Sequence, residues 1–312
     1  MNLRLPEPVF GALALLVLVL GAMAILAAGS GPFARELRSA EVRIRIRTWW
    51  MAAGLLGLAL LIDRRIAVVA IGLLSFVAFK EFLTLAPTRR AHNKVLLWAY
   101  LAIPVQYVLA GNGWYGAFVV FIPVYAFLLL PLRMVLLGES RGFLRGVGIL
   151  HWGLMTTVFC ISHLAFLVVM PDPPGFRNAG ATLLFYVVAL TQLNETVQHM
   201  VSARWGRHPV LAGVRPGLSV EGMAAGIVAT VLLALAMGPW FTRFSILQTL
   251  IAGLLVGVSG LVGSVAVRAV TRDIGVTEQG YTIPGHGALL ERLDALIFSA
   301  PLFFHLLYAQ VH

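Results

Sequence analysis

Long apolar runs follow one another along almost the whole chain, separated by short polar loops. A helix that crosses the roughly 30 Å hydrocarbon core of a bilayer needs about 17–25 mostly apolar residues. Ten segments approach this length, at 9–29, 48–62, 66–79, 95–111, 115–137, 148–170, 181–200, 222–241, 246–266 and 293–310. The pattern predicts an all-α fold, a polytopic integral membrane protein with about ten transmembrane helices.

Composition excludes a soluble protein. Only 12% of the 312 residues are charged and 60% are apolar, whereas soluble domains carry about 25% charged residues. The net charge of +10 does not indicate nucleic-acid binding, because the basic residues are dispersed among short loops rather than clustered on one face. The single cysteine, Cys160, excludes an internal disulfide and a cysteine-based metal site. Since no internal repeat or linker is apparent, residues 1–312 are predicted to form one transmembrane domain.

Two features near the start of the chain affect the span count. The run at 9–29 is longer than the hydrophobic region of a usual signal peptide, so we interpret it as the first span. The runs at 48–62 and 66–79 are short and are separated only by Asp63, Arg64 and Arg65. They form either a tight helical hairpin or one broken element.

Basic residues predict the orientation. If the N-terminus is placed outside and the ten spans alternate, 17 of the 23 Lys and Arg residues fall on the inner side. Such a bias is the usual signal for cytoplasmic loops. Both termini are therefore predicted to face outward, in a cytoplasmic membrane whose inner face carries the polar motifs.

The seventh apolar run contains polar residues that a span normally excludes. Gln192, Glu195 and His199 are spaced three and four residues apart and share one face of a helix. A carboxylate here needs a cation, an arginine or a wet cavity, because exposing it to lipid is costly. Either Glu195 pairs with an arginine to lock two helices, or the turn binds a metal ion or a substrate.

The loop before the last span is the second polar region. Carboxylates suit Mg²⁺, glycines let the backbone approach a phosphate, and arginine binds phosphate through two hydrogen bonds. Alternatively, Arg292 and Asp294 form a structural ion pair at a helix entry. The residues in question are Arg272, Asp273, Glu278, the turn Gly285-His286-Gly287, and the segment Glu291-Arg292-Leu293-Asp294.

These motifs resemble those of phosphatidate cytidylyltransferases, the CDP-diacylglycerol synthases. Their terminal signature reads K-R-x-x-x-x-K-D, I-P-G-H-G-G and D-R-x-D. Here it matches Thr271-Arg272, Thr277-Glu278, the segment from Ile283 to Ala288, and Glu291-Arg292-Leu293-Asp294. The seventh run resembles D-x-x-x-Y-x-x-G-K/R-x-x-G-K/R, with Glu195 and His199 at the acidic and tyrosine positions and Gly206-Arg207 at the last pair. The segment from Pro216 to Gly222 follows S-P-K-K-T-W-E-G from its proline onward, and the segments Ser75–Phe82 and Pro87–Arg90 resemble a subgroup.

The resemblance implies transfer of CMP from CTP to phosphatidate, giving CDP-diacylglycerol and pyrophosphate. It assigns a Mg²⁺ ion to Glu195 and Glu278, catalytic roles to Arg272, Asp273, His286 and Arg292, and substrate binding to His199, Arg207, Glu221, Gly285, Gly287 and Asp294. It also implies membrane lipid and a second copy of the chain, as a homodimer, as partners.

The chain departs from the family pattern in its charges. Both matched metal-binding acids are Glu where the family favours Asp, and lysines are replaced at Thr271, Thr277, Gly217 and Leu218. These losses leave open a catalytically degenerate relative that binds lipid or a partner protein. A transporter is the remaining alternative, although no inverted repeat supports it.

Overall fold

The fold is a bundle of helices. The computed structural model describes residues 40–86, 93–138, 142–172, 179–274 and 289–311, with Ala14, Val17 and Gly21 as isolated helical positions. Within these ranges there is no strand, only one antiparallel bridge between Pro209 and Ser219. The helices described are α1 (Ala40–Ile62), α2 (Arg64–Leu85), α3 (Asn93–Gly111), α4 (Tyr115–Leu136), α5 (Phe143–Val169), α6 (Ala179–Trp205), α7 (Val220–Phe241), α8 (Ile246–Asp273) and α9 (Leu290–Val311). The all-α prediction is confirmed.

Among the described helices, six are long and apolar enough to cross a membrane, namely α2, α4, α5, α7, α8 and α9. The apolar stretches of α1 and α3 are shorter, at Trp49–Leu60 and Val95–Gly111. The predicted first span lies outside the described residues, apart from the three isolated positions. The chain is thus a multi-pass membrane protein, and the total of ten crossings stays a prediction.

The junction between the two short apolar runs is a real helix boundary. Asp63 has an extended backbone, and its side chain accepts a hydrogen bond of 2.6 Å from the backbone N–H of Arg65. An aspartate in this position caps the start of a helix by satisfying an N–H that has no partner within the helix. Helices α1 and α2 are therefore separate and pack against each other, as in the hairpin alternative.

Helix α6 is the centre of the bundle. It contacts α5, α7, α8 and α9, and every residue from 179 to 192 is buried. It is absent from the six spanning candidates because Gln192, Asn194 and Glu195 lower its mean hydropathy. A polar helix is tolerated at this depth because its neighbours, rather than lipid, cover it.

Small residues let the neighbours of α6 approach closely. A Cβ atom added to Gly226 of α7 would lie 2.6 Å from the Asn194 side-chain oxygen, and one added to Gly260 of α8 would lie 3.1 Å from the Asn194 nitrogen. Membrane helices pack through such glycines because van der Waals contact replaces the hydrophobic effect between them. The polar segment of α6 is thereby held against two helix backbones.

A single acid aligns α2 and α6. Asp172 forms an ion pair of 2.7 Å with Arg64, at the start of α2, and accepts a hydrogen bond of 2.9 Å from the backbone N–H of Ala179, the first residue of α6. Since both helices start at this acid, they run in the same direction through the bundle.

Candidate active site

The polar residues of α6 divide into two groups that face different neighbours. Asn194 and Gln198 form the first group, and both are buried. The Asn194 amide donates a hydrogen bond of 2.8 Å to the Gly257 carbonyl of α8, and the Gln198 amide donates one of 2.9 Å to the Asn194 side-chain oxygen. This group joins α6 to α8 and fixes the rotation of α6 about its axis.

Arg215 extends this network from the loop between α6 and α7. Its guanidinium donates to the Gln198 side-chain oxygen at 3.3 Å and to the Ser264 hydroxyl of α8 at 2.6 Å, and the residue is only 9% exposed. A positive charge is therefore placed beneath the loop, among side chains of α6 and α8. In the sequence Arg215 is only one of the basic loop residues that predict orientation, and no local pattern indicates this contact.

The segment from Gly206 to Ser219 folds back on itself over the end of α6. The Val210 N–H donates to the Leu218 carbonyl at 2.9 Å, and the Val220 N–H donates to the His208 carbonyl at 3.0 Å. We call this segment the 206–219 hairpin. Ser202 of α6 accepts hydrogen bonds of 3.2 Å from both the backbone N–H and the hydroxyl of Ser219, which ties the hairpin to the helix that carries Glu195.

At two positions where the family has lysine, the backbone angle or the burial in this hairpin suits the residue found here. Gly217 has a φ of +83°, in the left-handed region that favours glycine. Leu218 is 3% exposed, so a lysine there would bury a charge. In this hairpin the cation that reaches the interior comes from Arg215 instead.

Glu221 closes the base of the 206–219 hairpin. Its carboxylate accepts hydrogen bonds from the backbone N–H groups of Arg207 at 3.2 Å and His208 at 3.4 Å, and one oxygen lies 2.6 Å from the His208 ring nitrogen Nδ1. The side chain of Arg207 itself is exposed. The structure thus gives Glu221 a positioning contact and leaves the Arg207 guanidinium at the surface.

Gln192, Glu195 and His199 form the second group of α6. Gln192 and Glu195 are 0% and 1% exposed, and His199 is half-buried. Neither the nitrogen nor the oxygen of the Gln192 side-chain amide has a hydrogen-bond partner among the described residues. The helix places the three side chains on one face, as their spacing predicts.

The end of α8 and the start of α9 carry the remaining described candidates. Arg272 donates a hydrogen bond to the Gly213 carbonyl at the tip of the 206–219 hairpin, Asp273 is exposed and Arg292 is half-buried. Asp294 is 1% exposed, and its carboxylate accepts a hydrogen bond of 2.6 Å from the Ala295 N–H. Glu278, Gly285, His286 and Gly287 lie outside the described residues.

Glu81 of α2 is a second residue that the sequence analysis did not assign to the site. Its carboxylate accepts hydrogen bonds from the backbone N–H groups of Leu289 at 3.1 Å and Leu290 at 3.0 Å. These donors open α9, and a carboxylate at a helix N-terminus satisfies them and interacts favourably with the helix dipole. The segment Ser75–Phe82 was noted for its resemblance, but no local pattern connects residue 81 with residue 289.

An apolar groove of about 120 Å³ is lined on α6 by Leu184, Phe185 and Val188, which precede the second group along the helix. Leu55, which lines it, is 64% exposed, so the groove opens sideways towards the bilayer. Its walls come from five helices: Trp49, Ala52, Ala53, Leu55 and Leu56 of α1, Ala70, Ile71 and Leu74 of α2, Leu164 of α5, Leu184, Phe185 and Val188 of α6, and Leu293 and Leu296 of α9.

On α2 and α6, polar residues follow the residues that line the groove. On α6, Val188 is followed one turn later by Gln192 and then by Glu195, while on α2 Leu74 is followed two turns later by Glu81. Because α2 and α6 run in the same direction, both sequences change from apolar to polar towards the same end of the bundle. The N-terminus of α9 lies at that end, bound by Glu81.

Glu195 is the described member of the Mg²⁺ site that the family resemblance implies. Carboxylate oxygen is the preferred protein ligand of Mg²⁺, which needs only one or two acids when phosphates and water complete its shell. Glu195 offers one buried carboxylate of this kind. No group of three His, Cys, Asp or Glu side chains within the described part of the chain has the geometry to hold a metal ion.

The sequence profile of the Cytidylyltransferase family matches residues 43–310. The chain belongs to the cytidylyltransferase family. The resemblance to the family is thereby confirmed over most of the chain, from α1 to the end of α9 apart from a few terminal residues. The 206–219 hairpin and the two polar groups of α6 are thus features of a cytidylyltransferase-family protein.

Individual relatives of this cytidylyltransferase-family chain differ in how much of it they cover. The uncharacterized YnbB protein of Escherichia coli (strain K12) is 38% identical over 270 residues, which cover 86% of this chain and 88% of that protein. The phosphatidate cytidylyltransferase of Staphylococcus aureus (strain COL) is 25% identical over 160 residues, covering 49% of this chain and 59% of that enzyme. The phosphatidate cytidylyltransferase of Synechocystis is 31% identical over 107 residues, covering 34% and 36%.

Proposed function

We propose that the chain is a membrane nucleotidyltransferase that transfers CMP from CTP to phosphatidate. The observation that carries this proposal is the buried carboxylate of Glu195, two helical turns beyond Val188, the last residue of α6 that lines an open apolar groove, in a chain of the cytidylyltransferase family. A lipid phosphate is both apolar and anionic, and this junction offers surfaces for both parts. Two relatives that are phosphatidate cytidylyltransferases support the same substrate.

The reaction requires no covalent enzyme intermediate. A phosphate oxygen of the lipid attacks the α-phosphorus of CTP, a new P–O–P bond forms, and the bond between the α-phosphorus and the bridging oxygen to the β-phosphate breaks. Pyrophosphate leaves with that electron pair. Most of the catalysis in such a transfer is positioning together with stabilisation of the developing negative charge.

We assign the binding roles as follows. Glu195, with Glu278, would hold a Mg²⁺ ion, which when bound would offset the charge of the nucleotide phosphates. Arg272 and Arg292, with Arg207, would bind phosphate oxygens, and Glu221 would keep the 206–219 hairpin closed over the site. Asp273, His199, Asp294 and the turn formed by Gly285, His286 and Gly287 complete the proposed site.

Arg272 links two parts of the proposed site. Its hydrogen bond to the Gly213 carbonyl brings the end of α8 to the tip of the hairpin. Arginine suits this position, because one guanidinium can hold a carbonyl and still offer donors to a phosphate.

The test is CMP transfer by the detergent-purified protein, with labelled CTP, phosphatidate and Mg²⁺. The isosteric change Glu195→Gln should abolish metal-dependent formation of CDP-lipid while preserving the fold. Asp63→Asn is a matched control. It changes an exposed carboxylate to an amide at the start of α2, at the other end of the bundle from Glu195. A Glu195→Gln protein with full turnover would contradict the assignment. Absence of product with the unchanged protein would instead favour the degenerate relative.

We further propose that the site faces the cytoplasm and that both termini lie outside, with the protein in the inner (cytoplasmic) membrane of the cell. The basic loops support this orientation. In a Cys160→Ala background, a cysteine at His208 should react with a membrane-impermeant maleimide only after the cells are permeabilised, and one at Asn112 should react in intact cells. The reverse labelling pattern would overturn the orientation without bearing on the chemistry.

A further inference from the structure

Gln192 carries a hydrogen-bonding capacity that the described protein does not use. Its side chain is completely buried, yet neither amide atom has a partner among the described residues. Gln198, which belongs to the first polar group of α6, is also buried but forms hydrogen bonds with both Asn194 and Arg215. Since buried polar groups are almost always hydrogen-bonded, the Gln192 amide marks a place where a ligand group completes the pairing.

The position of Gln192 indicates which kind of ligand group this is. It lies four residues after Val188, which lines the apolar groove, and three residues before Glu195, at the proposed phosphate end. Along this stripe the surroundings change from apolar, to a neutral amide, to a carboxylate. A diacyl lipid phosphate has the same order of groups: hydrocarbon chain, neutral ester, then phosphate.

We infer that Gln192 recognises the ester linkage of the lipid substrate, with its side-chain N–H donating to an ester carbonyl oxygen. An acyl chain would occupy the groove formed by α1, α2, α5, α6 and α9, and the phosphate would lie near Glu195. The inference rests on the proposed function, because it assumes that the lipid enters this site. A neutral amide suits this step, since it binds the carbonyl without the cost of burying a charge.

Recognition through one neutral hydrogen bond should produce a measurable difference in affinity between ester- and ether-linked lipids. An ether-linked lipid has no carbonyl oxygen and leaves the Gln192 donor without a partner, so the protein should bind it less tightly than the ester. We expect a preference of about ten-fold, which corresponds to about 1.4 kcal/mol.

The experiment compares the binding of diester and diether phosphatidates with identical chains, by displacement of a fluorescent phosphatidate from purified protein. No nucleotide is needed, so the measurement does not depend on catalysis. Gln192→Met, an apolar substitution of similar length, should remove the ester preference. It should leave the ligand-free protein at least as thermally stable, because it eliminates an unsatisfied buried amide.

Gln106→Leu is the matched control, because Gln106 is a fully buried glutamine that bonds to Phe118 and Ser162 away from the groove. It should keep the preference. Equal binding of the two lipids by the unchanged protein, retention of the preference in Gln192→Met, or failure of either lipid to bind would overturn the inference. Ester-selective binding without CMP transfer would overturn the proposed reaction and leave the inference standing.

Discussion

Glu81→Ala tests whether α2 holds the start of the last helix. The change removes the acceptor of two N–H groups, those of Leu289 and Leu290, at 3.1 and 3.0 Å. A hydrogen bond to a charged group contributes about 1.5–3 kcal/mol to stability. Because both donors bond to the same carboxylate, their contributions are less than additive, and we expect a loss of about 2–4 kcal/mol.

The assay is thermal unfolding of the purified protein in detergent. A loss of this size should lower the melting temperature by about 3–6 °C in a chain of this length. The melting temperature of Glu81→Gln should lie between those of the unchanged protein and Glu81→Ala. Its amide oxygen still accepts a hydrogen bond, but the charge at the helix N-terminus is gone. Lys80→Ala is the control on the preceding, exposed position, where substitutions typically change stability by no more than about 0.5 kcal/mol. A Glu81→Ala protein that melts together with Lys80→Ala would refute the reasoning.

Two further predictions concern the packing around α6. Arg215→Ala should destabilise the protein by about 2–4 kcal/mol in the same melting assay, because it removes charge-assisted hydrogen bonds to Gln198 and Ser264. Arg204→Ala, at an exposed position, is the control and should have little effect. Gly226→Val should separate α6 from α7, because its first side-chain carbon already meets Asn194. It should reduce the yield of folded, monodisperse protein on size exclusion. Gly116→Ala is the control and should behave like the unchanged protein, because an added Cβ there has nothing within 4 Å.

The helices were largely predictable because their signal is local. Length and apolar content placed α2 to α9 close to their observed bounds, since the bilayer sets the length that a crossing helix requires. The paired polar residues on α6 were also predictable, because a helix brings residues three and four apart onto one face. The ambiguity at Asp63 was settled by a side-chain cap that the short apolar runs alone could not distinguish from a broken element.

The sequence by itself determined the class of protein, its family and the helix that carries the acid. Those properties depend on composition, on residue spacing and on motif order, all of which are read along one chain. Only the tertiary structure decided that Glu81 binds the start of α9, that Arg215 reaches between α6 and α8, and that residues of five helices form one apolar groove. These contacts join residues far apart in the sequence, and they depend on the direction and close packing of neighbouring helices, which no local pattern encodes.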